Sequence, residues 1–262
     1  MENKAVVLKF ALSAFLLCGS AFAQQSTANG PLPLSSIVTR MEAAQAQKRD
    51  LGAYELIRRY RVAGAKNSGA DSEVVAALNF EPPSTRSYAI QKSTGSGRGE
   101  QVVRHILDQE TRATDQQMEA SAVNSDNYNF SYLGEANAEG QHCYRLGLEP
   151  KRREKSLVVG EALVDAQTFQ IRRIQGDLAK TPSWWLKKVH VDMAFSDVQG
   201  AWLQTNLRAD ADVRIFGPHT LTSQLIDYRG ASILAMRSAA PRPARTRRSK
   251  KADPAYSAVF TR

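Results

Sequence analysis

Apolar and polar residues alternate with a period of two over most of this chain, and the interruptions mark its other elements. Tyr54, Leu56, Tyr60 and Val62 fall on one parity, broken only by Arg58. Val74, Ala76, Leu78 and Phe80 repeat the pattern, and SYAIQK follows the Pro82-Pro83 turn. Strand side chains alternate between faces, so each run predicts a half-buried strand. Two stretches change period. Ile37, Val38, Met41 and Ala44 recur at helical spacing behind Ser35 or Ser36, either of which can cap a helix. GEQVVRHILDQETRA gathers Val102, Val103, Ile106 and Leu107 on one side and predicts a second helix. The stretch DQQMEASAVNSDN after it has no clear period and reads as a loop.

The remainder is a meander. YNFSYLGE and QHCYRLGLEP flank the turn signal Ala138-Glu139-Gly140, and KSLVVGEALVD and TFQIRRIQG meet at Asp165-Ala166-Gln167. Then come WLKKVHVDMAF, AWLQTNLRA, ADVRIF and TLTSQLIDYR, with Gly200 and Gly217-Pro218 as turns. Roughly ten or eleven short-looped strands imply a mainly β (α+β) domain, an antiparallel sheet curved into a half-barrel. Its apolar face needs covering. The N-terminal helix and the second helix are expected to lie across the concave side.

Trp184 and Trp185 follow Pro182 and precede the alternation Val189, Val191, Met193, Phe195. Extending that parity backwards puts Trp185 on the buried face and Trp184 on the other.

The ends of the chain change the meaning of its charge. Lys4, the apolar run to Cys18 and Ala21-Phe22-Ala23 form a cleavable leader over residues 1–23, which predicts export to the periplasm. Leu17 before Cys18 is unsuited to a lipid-attachment site. A polar linker over 24–33 precedes the domain, expected at 34–230. Of the net +9, residues 1–23 carry +1 and residues 231–262 carry +7, so the body is close to neutral. The basic tail, 231–262, is too rich in Pro, Ala, Ser and charge to support a core. In an exported protein its partner is an anionic membrane surface, not nucleic acid. Cleavage leaves Cys143 as the one thiol, so no intramolecular disulfide is expected.

Catalytic patterns are missing. His105, His142, His190 and His219 sit in separate elements, without HExxH, CxxC or a GxSxG elbow. His190 and Asp192 share one strand face, but two ligands make no metal site. Neither SGADSE nor STGSGRGE has the setting of a phosphate loop, although GSGRGE opens the second helix. The expectation is a non-enzyme with no metal and no cofactor. Among the arginines of strand runs, Arg58, Arg172 and Arg214, only Arg58 interrupts an apolar parity, so it needs a partner or water.

The element order, together with CYRLGLEPKR, GEALVDAQTFQIRRIQG, AKTPSWWLKKV and ADVRIFGPHTLTSQLIDYR, resembles the LolA/LolB-like lipoprotein carriers over about residues 35–229. The basic tail and a shorter, plainer lid region depart from that pattern. The resemblance implies a hydrophobic concavity for acyl chains of lipoproteins or other lipidic cargo. The residues expected to line it are Tyr54, Leu56, Arg58, Tyr60, Leu78, Phe80, Trp185, Val191 and Met193 from the sheet. Val103, Ile106 and Leu107 are expected from the covering helix. The function expected is that of a monomeric periplasmic carrier in lipoprotein sorting or envelope lipid transport. The alternative is a protein-interaction or envelope-sensing module that uses the same sheet.

Overall fold

The computed structural model of the protein describes residues 32–46, 52–64, 71–82, 85–215 and 217–230, and among these it has ten strands in one antiparallel sheet and three helices. The leader, most of the linker and the basic tail lie outside the described residues. In chain order the elements are α1 (Leu34–Ala46), β1 (Tyr54–Ala63), β2 (Ser72–Glu81), β3 (Thr85–Gly95), α2 (Gly97–Arg112) and α3 (Asp115–Ser121). The meander follows as β4 (Tyr128–Ala138), β5 (Gln141–Pro150), β6 (Val158–Asp165), β7 (Ile171–Leu178), β8 (Leu186–Val198), β9 (Ala201–Val213) and β10 (Gly217–Gly230).

The strand order is β3-β2-β1-β10-β9-β8-β7-β6-β5-β4. The meander runs without crossovers, and its last strand pairs with the first strand of the chain, Leu56 opposite Tyr228 and Val62 opposite Leu221. β3 and β4 remain as edges, so the sheet is open. The expected architecture is therefore present, with one difference in counting. AWLQTNLRA and the first three residues of ADVRIF form a single strand, β9, because no Gly or Pro interrupts Arg208 to Asp212 and the ladder to β8 continues to Val213.

Opposed residues of neighbouring strands project to the same face. One row runs Ser72, Val62, Leu221, Ala209, Val191, Gly176, Gly160 and Leu148 across eight strands. The face traced by this row is the apolar one throughout. Gly160 and Gly176 allow β6 and β7 to approach closely there, since a Cβ on Gly160 would stand 2.1 Å from the Gln175 carbonyl oxygen.

Two helices meet the sheet at different places. α1 buries Ile37, Val38, Met41 and Ala44 and packs against β4. It begins at Leu34, one turn closing through Ile37 N–H to Pro33 O at 3.1 Å. α2 packs on β1, β2 and β3. Gly95 turns the chain out of β3 with a φ of 95°, and the Ser96 hydroxyl caps the helix by accepting from Gly99 N–H at 3.1 Å. The segment read as a loop contains a third helix. Thr114 and Gln117 form a reciprocal capping box at the start of α3, with Gln117 N–H to Thr114 Oγ1 at 3.2 Å and Thr114 N–H to Gln117 Oε1 at 3.0 Å.

Candidate ligand-binding site

The underside of α2 decides what the concave face can hold. Val103 and Leu107 are fully buried, one turn apart, while Val102 is exposed and Ile106 only partly covered. With Leu56, Tyr60, Leu78 and Tyr228 they form one core, against which Tyr54, Tyr88 and Leu225 pack. Leu56, Tyr60, Leu78, Val103 and Leu107, all expected at the ligand, are thus brought together, and most of their surface is already covered by one another.

Arg58 enters this core from the middle of β1 and is 5 % exposed. Its Nη1 donates to Ser223 Oγ at 3.2 Å, and its Nη2 donates to the Gln204 carbonyl oxygen. The partners that the broken parity demands are therefore on β9 and β10. Its Nε is buried with no hydrogen-bond partner among the described residues. Burial raises the Tyr60 hydroxyl pKa well above the ordinary phenol range, Glu110 adding to the rise and Arg58 opposing it.

Space opens where α2 turns into α3. A cavity of about 270 Å³ lies between this corner and β1–β3, lined by Tyr54, Leu56, Leu78, Phe80 and Met118 with Asn79, Arg86, Ser87, Glu110, Thr111 and Ala113. Tyr54 and Phe80 stack at 5.0 Å between ring centroids. Arg86 ties the corner to the sheet, donating to the Ala113 carbonyl oxygen at 3.0 Å with its guanidinium 5.5 Å from the centre of the Phe80 ring. Glu110 is exposed as a residue, but its carboxyl turns in among the lining side chains. Desolvation there pushes its pKa up, against the pull of Arg58 and Arg86. The site is an apolar hollow with one raised carboxyl and two guanidiniums around it.

On the other side of the corner lies a wider depression of about 770 Å³, sharing Ala113 and Met118. Its lining is polar and mainly basic, with His105, Arg112, Arg153, Lys155 and Lys180 against Asp108 and Glu154.

Other expected site residues lie elsewhere. Val191 is buried and Met193 partly so, on the same sheet face in β8, but neither lines the cavity. Trp185 is a correction. β8 begins at Leu186, the ladder slips between Leu186 and Lys188, and both tryptophans sit in the turn before it. Trp185 is 42 % exposed and Trp184 79 %, so the parity of β8 does not extend to them. Arg214 belongs to the β9–β10 turn, and Arg172 pairs with Asp165 at 2.6 Å. His190 Nδ1 lies 3.0 Å from Asp177, while Asp192 pairs with Arg173. Among the described residues no group of three or more His, Cys, Asp or Glu could hold a metal ion. Cys143 is buried, which raises its thiol pKa. Sequence reasoning missed Arg86, Glu110 and Met118. The capping box Thr114-x-x-Gln117, which closes the corner, is the signal that could have located them.

Among the described residues no helix is long and apolar enough to cross a membrane. No curated protein matches the chain. Among solved structures it is similar to a domain from Vibrio parahaemolyticus described as an outer membrane lipoprotein-sorting protein, at 9 % identity and TM-score 0.40, covering 74 % of this chain and 92 % of that one. A LolA superfamily protein from Nitrosomonas europaea gives 11 % identity and TM-score 0.37, with 76 % and 94 % covered. A DUF1329 family protein from Desulfovibrio piger gives 11 % identity and TM-score 0.39, with 77 % and 94 % covered. Residues 65–229 match the family of unknown function DUF5686, and the chain belongs to that family.

Proposed function

We propose that the protein is a periplasmic carrier that holds the apolar part of a lipidic or acylated ligand beneath the α2–α3 corner. The observation that carries this reading is the hollow walled by Tyr54, Leu56, Leu78, Phe80 and Met118. Its volume is near the lower end of ligand pockets, which run from about 300 Å³ upwards. A longer chain enters by lifting α3 and the end of α2, whose attachment at Arg86 is polar and reversible. Burial of apolar surface, worth about 25 cal/mol per Å², holds such a ligand without a covalent step or a catalytic residue. Arg86, on the wall of the hollow, supplies a donor for a carbonyl or carboxylate head, while Arg58 stays committed to Ser223 and Gln204 inside the core. The leader at residues 1–23 and the resemblance of the strand motifs to Lol-type carriers agree with this role.

Titration with a dansylated fatty acid, followed by displacement with unlabelled oleate, tests it. Saturable binding is expected, and Ala113→Phe, which fills the hollow from its wall, should abolish it while the melting temperature stays near that of wild type. If wild type binds no fatty acid, the second reading takes over. That reading is a protein-interaction module, favoured by the close packing of Val103 and Leu107 onto the sheet.

A further inference from the structure

Among the described residues the two most exposed large apolar side chains, Trp184 and Ile215, lie at one end of the sheet together with Trp185. Ile215 is 77 % exposed beside Trp184 and Trp185, because the β9–β10 turn is tied to the segment before β8. Arg214 N–H donates to the Trp185 carbonyl oxygen at 2.9 Å, and Arg214 Nε donates to that of Trp184 at 2.8 Å. Leu186 N–H closes the turn on Ser183 O at 3.1 Å. The backbone of Trp184 and Trp185 is thus pinned to Arg214, and the two indoles and Ile215 are exposed beside that tie. Single exposed apolar residues are ordinary, but three together beside a pinned backbone are not.

Cations share this end of the sheet. Lys187 and Lys188 are answered by Asp212 at 3.7 Å and Asp177 at 2.9 Å. Arg153 joins the same end by donating to Ala179 O at 3.3 Å, and Lys155 and Lys180 line the neighbouring depression. Arg153, Lys155, Lys180 and Arg214 make no ion pair among the described residues, leaving an excess of positive charge beside the tryptophans. Interfaces between proteins take up Trp and Arg but are depleted in Lys. Tryptophan at headgroup level with lysine above it is the arrangement that suits a bilayer surface.

We propose that this end of the sheet docks on an anionic lipid bilayer, with Trp184, Trp185 and Ile215 entering at headgroup level and Lys155, Lys180 and Arg214 facing the phosphates. The contact is built into the folded domain and is separate from the basic tail. It also holds whether or not the cavity takes a fatty acid.

The full chain is mixed with vesicles of phosphatidylglycerol and phosphatidylcholine, and separately with phosphatidylcholine alone. Brominated lipid is included so that tryptophan emission reports depth. Trp202, whose Nε1 donates to Ile171 O at 3.0 Å in the sheet, is the emitter expected to stay unquenched. Binding to the anionic vesicles with a blue shift and quenching is expected. The double change W184A/W185A should lower partition roughly tenfold, in line with the apolar area removed from the interface. Lys155→Gln and Lys180→Gln should each lower it about fivefold, the worth of one cation near an anionic surface. Vesicle binding that leaves the emission unquenched and is unaffected by W184A/W185A would place the contact in the tail and overturn the proposal. Absence of binding by wild type, or protection of the turn by a partner protein only, would overturn it as well.

Discussion

The two ends of the sheet are covered by different helices, and the coverings differ in kind. Toward β4, α1 sets Ile37 and Met41 fully into the interior, where Leu146, Leu157 and Val164 are equally closed off. The buried carboxylate of that half is answered locally. Asp165 is buried in the β6–β7 turn, where it accepts from Gln167 N–H at 2.9 Å, Thr168 N–H at 2.8 Å and Arg172 Nε at 2.6 Å. Gln170 Nε2 reaches back to Ala44 O at 3.2 Å. Toward β3, α2 covers a core that contains a buried guanidinium with one unpartnered nitrogen, and a hollow beside it. Arg58 finds its partners on strands at the far end of the sequence. One half buries its large apolar side chains completely and meets the charge of Asp165 within seven residues, although Gln170 Oε1 there has no hydrogen-bond partner among the described residues. The other keeps an apolar hollow and a buried cationic donor without a partner, which are properties of a site rather than of a foundation.

Truncation of matched leucines gives the largest expected contrast. Leu146→Ala, at a position with no exposure, should cost about 3–5 kcal/mol, because the closed half cannot collapse around the gap. Leu78→Ala, on the cavity wall, should cost about 2 kcal/mol, since fewer neighbours are lost where space already exists. It should also weaken fatty-acid binding, whereas Leu146→Ala should not. Urea unfolding of both variants, with binding measured below the transition, checks the pair. Equal costs would mean that the two coverings are packed alike.

A smaller effect separates the halves by pH. Burial alone would raise the Asp165 pKa, but bonds from Thr168, Arg172 and Gln167 outweigh it and hold the carboxyl below its ordinary 3.8. A depressed folded pKa stabilises above the unfolded value and loses that contribution as pH falls through the folded one. Asp165→Ala should therefore cost about 3 kcal/mol at neutral pH, and the gap to wild type should close on acidification below 3.8. Glu110 has the opposite sign. Its folded pKa is raised, so the native state holds the proton more tightly, and stability falls as pH rises past the ordinary 4.5. Glu110→Gln should stabilise the fold at pH 7, by less than about 1 kcal/mol because the residue is partly in water, and so raise the melting temperature. That gain should vanish below the ordinary glutamate value. A loss of stability in Glu110→Gln would show instead that the carboxylate is needed as a counter-charge to Arg58.

The difference between the halves was only partly legible in the residues. Period-two parity located the strands and showed Arg58 as an intruder on an apolar face, because burial of one sheet face is written into every second position. The α2 stripe was visible for the same reason, although only Val103 and Leu107 of its four apolar residues reach full burial. Pairing of β1 with β10 joins residues 54 and 230, and nothing local announces it. Hence the partners of Arg58 and the core packing of Tyr228 could not be named in advance. The hollow itself depends on α3, a helix of seven residues that is too short to display a period. Its capping box was readable, and it alone would have turned the supposed loop into the corner that roofs the site.

The smallest effect concerns the tryptophans, which belong to neither half. Parity carried back from Val189 makes Trp185 a core residue, and truncating a buried tryptophan typically costs about 3–5 kcal/mol. The strand, however, begins at Leu186, and the register irregularity between Leu186 and Lys188 breaks the alternation before it reaches the pair. What holds the turn is hydrogen bonding to its backbone, from the Arg214 N–H and Nε and from Leu186 N–H to Ser183 O, and the indoles add little to it. Trp185→Ala and Trp184→Ala should each change stability by no more than about 0.5 kcal/mol, as for surface positions in general. Thermal melts of the two single variants in vesicle-free buffer measure this, with Leu146→Ala as the reference for a true core loss. If Trp185→Ala falls with the core variants, the turn packs against the sheet in solution and only Trp184 and Ile215 remain free to meet a membrane. If both variants melt with wild type, the exposed aromatic surface contributes nothing to folding, and its place beside a pinned backbone calls for an external surface.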